Sequence, residues 1–322
     1  MSQLPLIDIS GLFAQDPVNK RRLAKQLSTV FNEIGFVGIQ GHGMPSSLIA
    51  MMRDQVMSFF ALPMQSKLAL QVQQRNYRGY IPLSFFTPNA SKQEADHYEG
   101  YKLHFEVDER DDICQQSDLY GPNRWPAELP SLKNTVLTYW RHCDQLTRCL
   151  LEALAIDLEL PASILDSSFE KPLNNMTLLH YPPSDSNTDG FGIHPHKDTD
   201  VLTILAPDEV GGLWLRPRHS KHWIDARVPA DTLLVNVGDM LETWSGGYFQ
   251  STPHKVINSS GQERFSFPYF AVPRHDVMIE PLVATQQDRK FSSATAGEIS
   301  RKIWHSNWPD AAPIEKQYDP YT

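Results

Sequence analysis

After Pro172 the hydrophobic pattern of the chain changes to a period of two, in short runs separated by turn residues: NMTLLHYP, DVLTILAP, GGLWLRP, HWIDAR, TLLVNVGD, TPHKVI and RFSFPYFAVP. Such runs cannot stand as isolated strands. Each has an apolar face that must be buried, so together they predict a β-sandwich or barrel. No repeat of solenoid length is visible, and the Asp-Ser-Asn-Thr-Asp-Gly stretch at 185–190 reads as a loop within the unit. One core is expected for 322 residues, because barrels with helical additions reach this length as a single unit.

The part before these runs is largely helical in pattern. LPLIDIS suits a short opening strand. Asp16 and Pro17 then form an N-cap and first-turn pair, Leu23, Leu27, Val30 and Phe31 fall at helical spacing, and Gly35 stops the helix. FVGIQ (36–40) suits a strand. Ser46 or Ser47 is the expected cap of a second helix with Leu48, Met51, Met52, Val56 and Phe59 or Phe60 as its apolar stripe, ending near Pro63. Residues 70–130 give no clear period. From Leu132 to Leu160 a long helix is predicted, with Leu132, Val136, Tyr139, Cys143, Leu146, Leu150 and Leu154 on one face, placed to brace a sheet. The expected divisions are an N-terminal helical and α/β region at 1–125, the bracing helix with the β core at 126–275, and a C-terminal extension at 276–322, forming one structural unit.

Composition narrows the function classes. A formal charge of −9 argues against nucleic acid, which needs a concentrated basic face, and the cluster Lys20, Arg21, Arg22 and Lys25 fits a solvated helix face. Hydrophobic residues make up 41%, with no apolar run of membrane-spanning length, and MSQLPLIDIS lacks the marks of a secretory signal. A water-soluble, cytoplasmic protein acting on a small molecule, without membrane contact or an obligate protein partner, is therefore expected. Cys114, Cys143 and Cys149 have no CxxC spacing, which disfavours a disulfide framework and a structural zinc site.

The chemistry concentrates in HPHKDTDVLTIL. His196 and Asp198 are two residues apart, so on an extended strand both project from one face. His254, in STPHKVI, follows after enough chain for intervening strands to return a third ligand. Two imidazoles and one carboxylate hold a divalent ion while leaving adjacent positions open, the arrangement that oxygen activation at Fe(II) needs. The helical HExxH form of zinc hydrolases is absent. A bare HxD tripeptide is common, and what strengthens it is RFSFPYF, where Arg264, Ser266, Pro268 and Phe270 alternate onto one face. A guanidinium beside a hydroxyl forms a carboxylate clamp, and an inward Arg264 needs such a partner. Tyr181 is placed to add a phenol. Only His196 has an acid at the x-D position, so His194 is read as a supporting or loop histidine.

From LPLIDIS through RFSFPYFAVP, the chain resembles the isopenicillin N synthase-like branch of the Fe(II)/2-oxoglutarate-dependent dioxygenases. The motifs that carry the resemblance are IDIS, GFVGIQGHG, HKDTDVLTIL, GGLWLRP, NVGDMLETWSGGYFQSTPHKVI and RFS. The resemblance implies a double-stranded β-helix, or jelly-roll, core with His196, Asp198 and His254 as catalytic iron ligands. It also implies Arg264 and Ser266, assisted by Tyr181, as holders of the distal carboxylate of 2-oxoglutarate. The implied activity uses O2 and couples decarboxylation of 2-oxoglutarate to oxidation of a small molecule, with hydroxylation as default and desaturation or ring closure also open. Plant members often carry Asn where this chain has Leu179. Isopenicillin N synthase itself uses the same ligands and RxS pair without 2-oxoglutarate, and ethylene formation is a further branch. A non-catalytic jelly-roll module that keeps the metal or a carboxylate is the alternative outside enzymes. Tyr80, Arg78, Tyr101 and Phe270, with Tyr77, Phe85 and Lys102, are candidates for the pocket wall. An inward Arg78 or Lys102 points to an anionic or amino-acid-like substrate.

Overall fold

Helix α1 (Pro17–Glu33) begins where Asp16 and Pro17 predict. The Asp16 carboxylate accepts from the amides of Val18 and Asn19 at 3.0 and 3.1 Å, satisfying two otherwise orphaned donors. Gly35 ends the helix at φ +74°, where a Cβ would stand 2.1 Å from the Gln250 carbonyl oxygen. The computed structural model describes residues 3–14, 16–86, 95–161, 167–183, 191–220, 222–286, 289–306 and 308. The loop expected at 185–190 lies outside the described residues, as does most of the chain beyond 306.

Strands β1 (Leu6–Asp8) and β2 (Phe36–Gln40) flank α1 in sequence. In α2 (Ser46–Phe60) neither serine caps the helix: Pro45 holds the cap position with no side-chain bond. Leu48, Met52, Val56, Phe59 and Phe60 are buried, but Met51, expected in the stripe, is half exposed. The unassigned stretch supplies α3 (Met64–Ala69), β3 (Gly79–Ile81), β4 (Glu99–His104) and the short α4 (Ile113–Gln116). The long helix, α5 (Pro130–Asp157), buries all seven positions of its predicted face and packs against α1 and α2. Among the described residues no helix is long and apolar enough to cross a membrane.

The remaining strands are β5 (Asn175–Tyr181), β6 (Ile193–His196), β7 (Leu202–Leu205), β8 (Leu213–Leu215), β9 (Ile224–Asp225), β10 (Leu233–Val237), β11 (His254–Val256), β12 (Arg264–Ser266) and β13 (Tyr269–Ala271). They are followed by the small pair β14 (Met278–Ile279) and β15 (Ala294–Thr295). Helix α6 (Asp239–Trp244) follows β10, and α7 (Ala296–Ser306) ends the described fold. A nine-stranded sheet runs β1-β2-β10-β7-β13-β5-β4-β3, with β12 also on β5. It faces a four-stranded sheet β6-β11-β8-β9. The first 104 residues thus supply four strands of the larger sheet as well as helices. This is the jelly-roll core.

Strand alternation divides the large sheet into two faces. Val37, Leu103, Met176, Leu178, Ile204 and Val235 pack toward the helices. Phe36, Leu179, Tyr181, Leu205 and Leu234 pack inward with Leu213, Leu215 and Val256 of the small sheet. Strands β12 and β13 hold one register on β5, with Arg264 opposite Tyr181 and Phe270 opposite Asn175. They are interrupted around Pro268, which has no amide hydrogen to offer the ladder.

On the helix side, Glu99 accepts hydrogen bonds from Lys67 (2.9 Å), Tyr80 (2.5 Å) and His180 (2.8 Å). Burial alone would raise its pKa, but the bonds from His180, Lys67 and Tyr80 outweigh burial and hold it at about 2. Because the folded value lies below the unfolded one, this stabilisation is present above pH 4.5 and is lost as pH falls toward 2. Glu99→Gln is expected to cost about 3 kcal/mol at pH 7, with the gap roughly halved at pH 3. Urea unfolding at the two pH values measures both, and a gap independent of pH would refute the assignment.

Candidate active site

His196 ends β6 and His254 begins β11, and the two strands pair so that these residues stand directly opposite each other. Their ring centroids are 4.3 Å apart. Each Nδ1 donates to a backbone carbonyl two residues upstream, His196 to His194 at 2.8 Å and His254 to Thr252 at 3.1 Å. These acceptors set the tautomer and leave both Nε2 lone pairs free. Asp198 is not on the strand, as the alternation argument expected, but in the turn that leaves it. That turn carries its Oδ1 to 3.7 Å from His196 Nε2 and 3.5 Å from His254 Nε2. All three ligand atoms lie within 4.8 Å of one another.

The large sheet grips Asp198 from the other side. Thr203 Oγ1 donates to Oδ2 at 2.6 Å and Asn236 Nδ2 at 2.8 Å, so one oxygen is held by the protein and the other faces the imidazoles. Thr203 also lies 2.9 Å from Asp200 Oδ2. Burial and the neighbouring Asp198 push the Asp200 carboxyl well up. Lys197, between the two ligands, pairs with Glu242 at 2.9 Å.

Burial, then the charge of His254, brings the His196 pKa down to about 4, so its ring is neutral at pH 7. Burial disfavours the Asp198 anion, yet His254 and the hydrogen bonds hold its pKa well below the ordinary carboxylate range. His254 moves the opposite way: burial lowers its pKa, but the Asp198 charge raises it more. A divalent cation held among the three would supply the positive charge that the buried Asp198 carboxylate favours. Two neutral nitrogens and one anionic oxygen, each oriented by a second hydrogen bond, suit Fe(II).

Arg264 and Ser266 are buried on the inward face of β12. Arg264 Nε donates to Gly211 O at 2.6 Å, and the guanidinium lies 4.7 Å over the Tyr181 ring. Gly211 and Gly212 have φ of +78° and +85°, and a Cβ on Gly212 would meet the Ile257 carbonyl at 2.4 Å, so glycine is required for this approach. Burial pushes the Tyr181 hydroxyl up to about 12, against the opposing charge of Arg264. Among the described residues Arg264 Nη1 is buried without a hydrogen-bond partner. A buried guanidinium nitrogen left unpaired is costly, and a ligand carboxylate fits it. A cavity of about 420 Å³ borders Arg264 and Leu234 but none of the three ligands, so it lies behind Arg264 rather than at the metal centre.

The residue families that match the chain agree with this geometry. Residues 4–128 match the non-haem dioxygenase in morphine synthesis N-terminal family, and residues 173–273 match the 2OG-Fe(II) oxygenase superfamily. The 2-oxoglutarate-Fe(II) type oxidoreductase hxnY of Emericella nidulans is 31% identical, covering 97% of this chain and 93% of that protein. The chain belongs to the 2OG-Fe(II) oxygenase superfamily. The homoarginine-6-hydroxylase of Glycine max is likewise 31% identical over 92% of this chain and 95% of its own. Among solved structures, a full-length Neurospora crassa protein in complex with alpha-KG and thymine superposes with a TM-score of 0.83 at 26% identity, covering 95% of this chain and 97% of that one. The oxygenase therefore uses Fe(II) and 2-oxoglutarate, with His196, Asp198 and His254 as its HxD…H facial triad.

The expected pocket wall is only partly brought to this site. Phe270 stands on the inward face, opposite Thr203. Tyr80 and Tyr101 do not: both are fully buried on the helix side, Tyr80 bonded to Glu99 and Tyr101 to the Arg124 carbonyl. Their phenols satisfy local acceptors and their rings pack on Phe59. Arg78 is also turned away, donating to Leu119 O and Asn76 Oδ1. Tyr77 and Phe85 pack with Trp304 and Trp308. Sequence reasoning missed Thr203, Asn236 and Asp96. Asp96 accepts from His194 at 2.6 Å and so steadies the carbonyl that orients His196. Polar residues at inward positions of otherwise apolar strands were the available signal for Thr203 and Asn236.

Proposed function

We propose that this oxygenase couples decarboxylation of 2-oxoglutarate to oxidation of a small molecule, with hydroxylation as the default outcome. In this reading His196, Asp198 and His254 hold the iron, and Arg264, Ser266 and Tyr181 hold the distal carboxylate of 2-oxoglutarate. The observation that carries it is the unpartnered, buried Nη1 of Arg264, flanked by the Tyr181 ring and on the same inward strand face as Ser266. Bound Fe(II) and 2-oxoglutarate supply the oxidising chemistry. The chain's own residues orient the ligands and keep bulk water from the interior. Relatives that carry hydroxylase names or bind thymine support a small-molecule substrate.

Adding 2-oxoglutarate to the Fe(II)-loaded protein without oxygen is expected to produce a weak visible charge-transfer band. Admitting oxygen with a metabolite extract should then release succinate. If no band forms and 2-oxoglutarate leaves thermal stability unchanged, the co-substrate reading fails, and the RxS pair is left to grip the substrate's own carboxylate.

A further inference from the structure

Lys102 shares the inward face of the large sheet with the residues that hold Asp198. Strand register runs one row of side chains across five strands: Phe36, Asn236, Thr203, Phe270 and Asn175. Lys102 follows on β4, opposite Thr177. Its ammonium reaches back along this row, 2.6 Å from Asn175 Oδ1, 3.0 Å from Thr177 Oγ1 and 5.1 Å from the centroid of the Phe270 ring. The charge therefore lies above the immediate strand neighbour of Thr203, one strand spacing (about 5 Å) from the side chain that grips the metal ligand.

Among the described residues Lys102 forms no direct ion pair, and the charges of Asp198 and Asp200 act on it only from a distance. Both hydrogen-bond partners of Lys102 among the described residues are neutral. Asp198 is already supplied, one oxygen by Thr203 and Asn236 and the other by the metal position. Burial is the main influence on Lys102 and brings its pKa down to about 7 against the charges of Asp198 and Asp200, so the ammonium is held against a desolvation cost. An ammonium has three donors, and two are engaged. Lys102, Asn175, Phe270 and His196 all keep partial exposure although strand register turns them toward the barrel interior, the face that also carries the grip on Asp198.

We propose that Lys102 anchors a carboxylate on the substrate, with the Phe270 ring under the substrate's apolar part, so that the oxygenase acts on a small organic acid. The inference rests on the reading of the iron and 2-oxoglutarate sites given above. Paired with a ligand carboxylate, the third donor is satisfied and the buried ammonium gains the direct ion pair it lacks among the described residues, which favours an anion over a neutral molecule of the same shape.

The test uses the Fe(II)-loaded full chain without oxygen. Calorimetric titration with 2-oxoglutarate comes first. If it does not bind, the underlying reading fails and this inference falls with it. At saturating 2-oxoglutarate, benzoate and hexanoate are then titrated against their neutral amides, benzamide and hexanamide. At least one acid is expected to bind about 10- to 100-fold more tightly than its amide. Lys102→Met should erase that preference and Lys102→Arg should keep it, while 2-oxoglutarate affinity stays alike in all three proteins. Should Lys102→Met not fold, Lys102→Gln removes the charge and keeps a hydrogen-bonding side chain. Equal binding of acids and amides, no binding of either acid, or an acid preference that survives loss of the charge would each overturn the proposal while leaving the 2-oxoglutarate reading intact.

Discussion

Asp198→Ala is expected to abolish stoichiometric Fe(II) binding and to cut succinate release by at least about 100-fold. Asp198 supplies the only anionic donor of the triad, and the two imidazoles that remain cannot offset the charge of a divalent ion. The loss should exceed that from removing a group that merely orients a ligand, which typically costs about 10- to 100-fold. Asn236→Leu, which strips one hydrogen bond from Asp198 Oδ2, is the matching comparison and should fall in that lower range. Metal analysis after desalting and a succinate assay measure both effects. Misfolding is separated by thermal melts: wild type should gain stability with Fe(II) and Asp198→Ala should not. Full turnover in Asp198→Ala would remove it from the ligand set.

The triad was legible in the sequence, but for a partly wrong geometric reason. Alternation on one strand was expected to aim His196 and Asp198 together. Instead β6 stops at His196, and Asp198 converges because Thr203 and Asn236 draw it in from the opposite sheet. The true strand relation is between His196 and His254, paired across β6 and β11. A register between strands so far apart in sequence is decided by the whole interior, not by either segment, so spacing alone could not state it. Helix α5 was readable because its period depends on one face and on local chain geometry.

The stretch from 70 to 130 shows the opposite case. Strand β4 is buried on both faces, so EGYKLH has no apolar and polar alternation to betray it. Its partners β3 and β5 define it, and only those pairings reveal that Tyr101 faces the helices while Lys102 faces the barrel. Adjacent residues were both plausible wall positions in the sequence, and strand geometry assigns them to opposite sides. The same logic sends Tyr80 to the Glu99 network.

Arg264→Met should weaken 2-oxoglutarate binding by about 30- to 1000-fold, the range for removing one member of a buried, hydrogen-bonded charge pair. Fe(II) binding should persist, since Arg264 touches none of the three ligands. The succinate assay should show the KM for 2-oxoglutarate rising far more than kcat falls, because the distal carboxylate positions the co-substrate without entering the reacting bonds. Arg264→Lys should recover little. The guanidinium donates through Nε to Gly211, stands over the Tyr181 ring and keeps Nη1 for a ligand simultaneously, and a single ammonium has neither the plane nor the fork. Without co-substrate, Arg264→Met should change stability little, because the lost Nε bond to Gly211 O is offset by removing a buried guanidinium whose Nη1 has no hydrogen-bond partner among the described residues. Loss of ligand affinity without loss of unliganded stability is the mark of a residue kept for binding. If 2-oxoglutarate affinity is unchanged in Arg264→Met, the guanidinium serves a different carboxylate, and the substrate's own becomes the one to test.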